Sequence, residues 1–244
     1  MIPITPKTHA HLGWHATKGF GFARQLALVP LATEEIGRVS QVMPVVFRKR
    51  EGLWEAVGVM GPVQGTNLYV AHEGNWRGSF VPAWLRVYPF CLDKEGELAL
   101  WEGYKPAPLA ADGVEPFYEG VAWSERLAQT KQFLSAVRSG IRSAAPILQR
   151  LDTLGVLIPW AVPGIEKPRR EIALRLQGLF AVDPKALEGI GGEMALSLFQ
   201  SGALRWLYAH SESLHHVQRF TAEMAPGIRT RRKGGSYDDR DDPK

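Results

Sequence analysis

The chain is short of the features that announce a familiar chemistry. It has one cysteine, Cys91, so no intrachain disulfide can form. Cys91 stands between Phe90 and Leu92, a setting that suggests a buried, inert thiol without the neighbouring base a nucleophile needs. No run of about eighteen apolar residues is present, so no span of that kind crosses a membrane. Gly191-Gly192 is not followed by the lysine and hydroxyl of a phosphate loop. A Gly-x-Ser-x-Gly elbow is also missing. Residues 1–15 lack a charged start followed by an apolar run. The protein is therefore expected to stay in the cytoplasm unless a route other than Sec exports it. Net charge is +4, but the basic residues are dispersed, and the one cluster is Arg229, Arg231, Arg232 and Lys233. Without a basic stripe or recognition motif, nucleic acid is not an expected partner.

What is there is the composition of a globular protein, 45% hydrophobic and 22% charged. At 244 residues it makes one large domain or two small ones packed together. The most unusual stretch is 67–92, which holds Tyr69, Trp76, Phe80, Trp84, Tyr88 and Phe90 among glycines, prolines and few charges. The turn at Glu73-Gly74-Asn75 predicts a hairpin with strands near 67–71 and 76–81. Pro82 then opens a helical turn over 83–87, and Pro89 steers 90–92 into a strand. Two uses of these residues stay open. They form a hydrophobic core with Arg77 and Arg86 lying over its edge. Or they form an aromatic ligand pocket built on Asn67, Trp76, Trp84 and Tyr88, with Arg86 as its charged anchor.

Along the chain, residues 1–23 read as an irregular arm. Its His9, His11 and His15 are a weak metal-ligand alternative, because a flexible arm holds ligands poorly and no cysteine or carboxylate joins them. Otherwise no metal or cofactor is expected. Residues 24–120 read as strand-rich, with strands at 24–29, 45–48, 53–60 and 97–101 and a short helix capped by Thr33 with Glu34 and Glu35 behind it. Residues 104–120 read as a loop or linker, with Asp112, Glu115 and Glu119 as a solvated acidic rim or a carboxylate pair.

Residues 121–227 read as mainly helical. Ser124-Glu125 starts a helix whose Leu127, Leu134, Val137 and Ile141 share a face, and Pro146 breaks it before a segment ending at Gly155. Strands follow at 156–162 and 172–176, and Asp183-Pro184 starts a helix to Gly189. A further helix spans 193–208, weakened by Gly202. His210, Ser211, Ser213, His215 and His216 make a polar knot in which Ser211 and His215, four apart, would touch on a helix. Catalysis there would also need an orienting acid and an oxyanion hole, and Glu212 points elsewhere. Residues 228–244, basic and then acidic, read as a disordered tail. The fold class is α+β: a strand-rich antiparallel half, as a curved sheet or small barrel, packed with a mainly helical half.

The motifs also carry a resemblance. They are Asn67-Leu68-Tyr69-Val70, Gly74-Asn75-Trp76, residues 81–90, residues 178–187, Gly202-Ala203-Leu204, Tyr208-Ala209-His210, Ser213-Leu214 and Pro44-Val45-Val46-Phe47. In combination they resemble the SapC family, bacterial proteins of about this length named for a surface-layer locus. The likeness runs from about residue 20 to 220. It brings no catalytic residue set with it. What it implies is an association with surface layers, through the family name. Members also sit in gene clusters with outer-membrane receptors, halogenase-like flavoproteins and cupin-like oxygenases. The same letters name an unrelated transporter permease, which this chain cannot be without a membrane-spanning run. The expected function is a non-catalytic binding or accessory protein of cell-surface or nutrient-uptake machinery, contacting an unknown protein or small-molecule ligand. The alternatives are an enzyme or accessory subunit beside halogenase- or oxygenase-type partners, and a structural surface-layer component.

Overall fold

The structure is a computed structural model that describes residues 1–161 and 176–220. In chain order its first half forms β1 (Ile2–Pro3), α1 (Pro6–His9), β2 (Leu12–His15), β3 (Leu28–Leu31), α2 (Ile36–Val39), β4 (Val45–Arg50) and β5 (Leu53–Val59). Then come β6 (Phe90–Leu92), β7 (Leu98–Leu100), β8 (Ala107–Pro108), β9 (Val114–Pro116), β10 (Tyr118–Glu119) and β11 (Ala122–Trp123). The second half forms α3 (Glu125–Ser143), α4 (Ala145–Thr153), β12 (Leu157–Trp160), β13 (Leu179–Val182), α5 (Pro184–Glu188), α6 (Gly192–Gln200) and α7 (Ala203–Ser213). The fold is α+β, antiparallel throughout its described sheets, and no sheet closes into a barrel.

The main sheet has the order β12-β13-β4-β5-β3. Its nucleus is the β4–β5 hairpin, where Arg50 faces Leu53 and only Glu51 and Gly52 connect the strands. Both connecting residues have positive φ, 50° and 81°, the two-residue turn whose twist matches paired strands. Val45, Val46 and Phe47 are all buried in succession, as expected for a strand covered on both faces. Helices α3 and α4 pack against β5, and α7 packs against β4 and β13.

A second, smaller core gathers Ile4, Trp14, Phe90, Leu98, Leu100 and Phe117. Around it lie the β1-β7-β6 and β8-β2-β9 sheets. Helix α3, capped by the Ser124 hydroxyl accepting from the Leu127 N–H, runs for about 28 Å. Its Leu127 and Leu134 enter the small core, while its far end leads through Ala144 into the large one.

Several expectations are corrected. Residues 1–23 are not irregular: β1, α1 and β2 are built from them, and Trp14 is 4% exposed, stacked on Phe117 at 5.2 Å. Residues 104–120 are likewise no plain loop, since β8, β9 and β10 lie there with Phe117 fully buried. The strand expected at 24–29 begins at Leu28 and runs through Pro30, which the sheet tolerates because β3 is an edge strand. Thr33 does not cap its helix; its hydroxyl instead meets that of Ser143 at 2.7 Å. The hairpin over 67–81 reduces to a single bridge between Val70 and Trp76. The helix expected at 193–208 is two helices, α6 and α7, parted at Gly202 with φ 71°, a left-handed geometry that glycine takes without strain. Strand β13 was not anticipated. The expected strand at 172–176 and the tail at 228–244 lie outside the described residues, the former except for Leu176. Among the described residues no helix is long and apolar enough to cross a membrane.

Candidate functional site

The site is assembled around Glu35, which ends a 3-10 turn at Thr33–Glu35 and leads into α2. Its carboxylate reaches back to accept the Ala32 N–H at 3.1 Å and across to accept the Ala83 N–H at 2.8 Å. Ala83 opens the 3-10 turn Ala83–Leu85, which Arg86 closes. One side chain thus ties the segment carrying Arg38 to the segment carrying Arg86. Glu35 is 7% exposed, and burial pushes its carboxyl above the usual range, against the pull of the two N–H donors and of the Arg86 charge.

Beside this tie lies a cavity of about 600 Å³, within the size range of small-molecule sites. Ala32, Phe80, Ala83 and Val137 supply apolar wall, and Glu34 and Gln41 add polar groups. Arg38 of α2, Arg86 and Arg205 of α7 also line it. Arg86 lies beside two rings, with its guanidinium carbon 5.8 Å from the Phe80 centroid and 5.6 Å from that of Phe133. Such cation–ring contacts attract the guanidinium through its charge, without a hydrogen bond to a protein acceptor. Among the described residues, none of the three arginines makes a salt bridge or a guanidinium hydrogen bond.

Of the five residues singled out from the sequence, Arg86 lines this cavity and the other four lie apart from it. Asn67, 6% exposed, donates to the Ala23 carbonyl at 2.9 Å and accepts the Tyr69 N–H at 2.9 Å. Trp76 packs on Tyr69 and Phe20 and donates to the Phe80 carbonyl. Trp84 meets Trp101 at 4.9 Å, and Tyr88 stacks on Phe22 at 3.9 Å with nearly parallel planes. These rings form a connected series from Tyr69 through Trp76, Phe20, Phe22, Tyr88 and Trp101 to Trp84. Tyr69 belongs to the large core, and Phe20, Phe22, Trp76 and Trp84 pack half-buried against it.

The polar knot is a fastening. The His210 Nδ1–H donates to the Val45 carbonyl at 2.6 Å, and its Nε2 accepts the Val182 N–H at 3.0 Å. Ser213 accepts the Val45 N–H at 2.9 Å and donates to the His210 carbonyl at 2.6 Å. Both side chains are fully buried, and burial lowers the imidazole pKa to about 4. The pair pins α7 to β4 and β13. Ser211 and His215 do not meet as expected. Helix α7 ends at Ser213, Ser211 bonds the Leu207 carbonyl, and His215 turns to the Glu212 carbonyl.

The arm histidines do not converge either. His9 is buried edge-on to Phe117, with Nδ1 accepting from Thr8, whereas His11 and His15 are exposed. Among the described residues no group of three histidine, cysteine or acidic side chains is placed to hold a metal. Glu115 and Glu119 do share an open hollow of about 500 Å³ with Glu125, and Glu115 is paired with Arg126. Asp112 is not part of that lining. Cys91 is buried with its thiol pKa raised, so it stays a neutral thiol.

Sequence reasoning missed Glu35 as a tie, and it missed Arg38, Arg205 and Phe133. No local spacing links residues from α2, α3 and α7, so only the fold brings them to one cavity. In comparison with known proteins, the SapC family model matches residues 4–220. No curated protein and no solved structure matches the chain. The chain belongs to the SapC family.

Proposed function

We propose that this SapC-family chain is a non-catalytic binding or accessory protein of cell-surface or nutrient-uptake machinery, and that its ligand enters the cavity beside Arg86. The observation that supports the binding part is the Arg86 guanidinium, which lies beside the Phe80 and Phe133 rings at the cavity wall and makes no hydrogen bond to the described residues. The surface or uptake association rests on the family's name and on the gene neighbours of its members.

Native mass spectrometry of the protein purified from its own host tests this reading, with wild type and Arg86→Ala compared. The expected result is a small molecule or protein partner on wild type that the variant loses while its melting stays near wild type. A bound species retained equally by both proteins, or a bare wild-type chain, overturns the assignment of this cavity.

A further inference from the structure

We infer that the cavity takes an organic anion, a carboxylate or phosphate group carried on an apolar body, with Arg86 as the principal grip and Arg38 and Arg205 at its sides. This rests on the binding reading above and names the ligand class for the same cavity.

The lining sets the charge. Three arginines face two acids, Glu34 and Glu35. Glu35 is already committed, because each of its oxygens accepts a backbone N–H and the side chain is buried. Glu34 lies against α3, with Oε2 2.4 Å from where a Cβ on Gly140 would stand. Three arginines from three separate segments thus line the cavity with one uncommitted carboxylate, and the surplus is positive. A guanidinium presents a planar fork that matches the two oxygens of a carboxylate or phosphate. The Phe80 and Phe133 rings beside the Arg86 guanidinium carbon restrict where that fork can sit before any ligand arrives. Apart from Gln41, the uncharged side chains of the wall, Ala32, Phe80, Ala83, Ala136 and Val137, are apolar and suit an apolar body.

The test is ligand-observed NMR and calorimetry on the full chain with four small probes: benzoate, phenyl phosphate, and the uncharged benzamide and benzyl alcohol. Benzoate or phenyl phosphate should bind, and the tighter of the two identifies which acid group the site prefers. Binding should weaken as salt is added and fall about tenfold in Arg86→Gln. Arg38→Gln and Arg205→Gln should each weaken it less. These side chains are exposed, so the variants fold, and melting curves verify it. If the uncharged probes bind as tightly as the anions, the anion class is overturned while the cavity stands. If an anion binds equally to wild type and all three variants, its site is elsewhere and the inference falls. If no probe binds at any concentration reached, the inference falls, and the native mass comparison of wild type with Arg86→Ala decides the binding reading separately.

Discussion

Two polar clusters in this protein are used in opposite ways. At His210 and Ser213 every side-chain donor and acceptor is spent inside the fold, on Val45, Val182 and the helix itself. At the cavity, Glu35 is spent in the same manner, yet the guanidinium groups of Arg38, Arg86 and Arg205 have no hydrogen-bond partner among the described residues. Residue type does not separate the two. Histidine and serine, the pair that most suggests catalysis in a sequence, turn out to be structural fasteners here. What separates them is where their partners lie: a satisfied buried network holds a fold together, and the exposed guanidinium groups at the cavity face water.

Substitutions should split along that line. His210→Ala leaves the Val182 N–H and the Val45 carbonyl unpaired in the core and opens a void. It should cost about 3–5 kcal/mol in urea unfolding, with anion binding of the folded fraction unchanged. A loss of binding instead of stability would erase the distinction. The intact protein should show the same fastener by titration. The imidazole pKa lies at about 4 in the fold, below its ordinary 6.5, so the unfolded chain takes up the proton first. Stability is therefore full above pH 6.5 and falls as the pH drops towards 4, by about 3 kcal/mol in all. Urea midpoints across that range measure it, and the His210→Ala variant should lack that component.

On the cavity side, Gly140→Ala places a Cβ 2.7 Å from the Ala32 Cβ as well as against Glu34. It should cost about 1–3 kcal/mol and narrow the wall, so that both melting and probe affinity drop. Glu35→Gln replaces one acceptor with a donor facing a backbone N–H, for about 1–2 kcal/mol. The Glu35 pKa is raised by burial. Its contribution is therefore present below pH 4.5, its ordinary value, and is lost as the pH rises through the higher folded value; the glutamine variant should not show that fall. The smallest stability effect belongs to Phe133→Ala. This ring is 37% exposed, so melting should shift by less than about 1 kcal/mol, while benzoate affinity drops severalfold as Arg86 loses one of its two supports. Equal affinity would mean that the rings do not orient the cation.

The parts legible in the sequence are those whose signals are local. The Glu51-Gly52 hairpin, the Ser124 cap and the Asp183-Pro184 start of α5 each declare themselves within a few residues. So does Arg86, flagged by its aromatic neighbours. The rest depends on partners far along the chain. Strands β1 and β2 have two and four residues, too few for alternation to register, and they exist because β7, β8 and β9 receive them. Phe20 and Phe22, which complete the ring series, come from that same underestimated arm. Arg38 and Arg205 carry no mark that distinguishes them from other surface arginines.

The placement of β13 also bears on how the protein is made. Phe47 and Arg48 of β4 have their outer partners in Phe180 and Leu179, about 130 residues later. During synthesis the hairpin can close early, but the free edge of β4 stays bare until that distant segment emerges. At roughly 5–20 residues per second, the delay is on the order of ten seconds. For that interval the nascent chain displays a row of unpaired backbone groups beside Val45, Val46 and Phe47, a template on which neighbouring chains can pair. Overproduction should therefore be limited by what happens on the ribosome, and holding such chains apart, by chaperones or by slow expression, should raise the soluble yield.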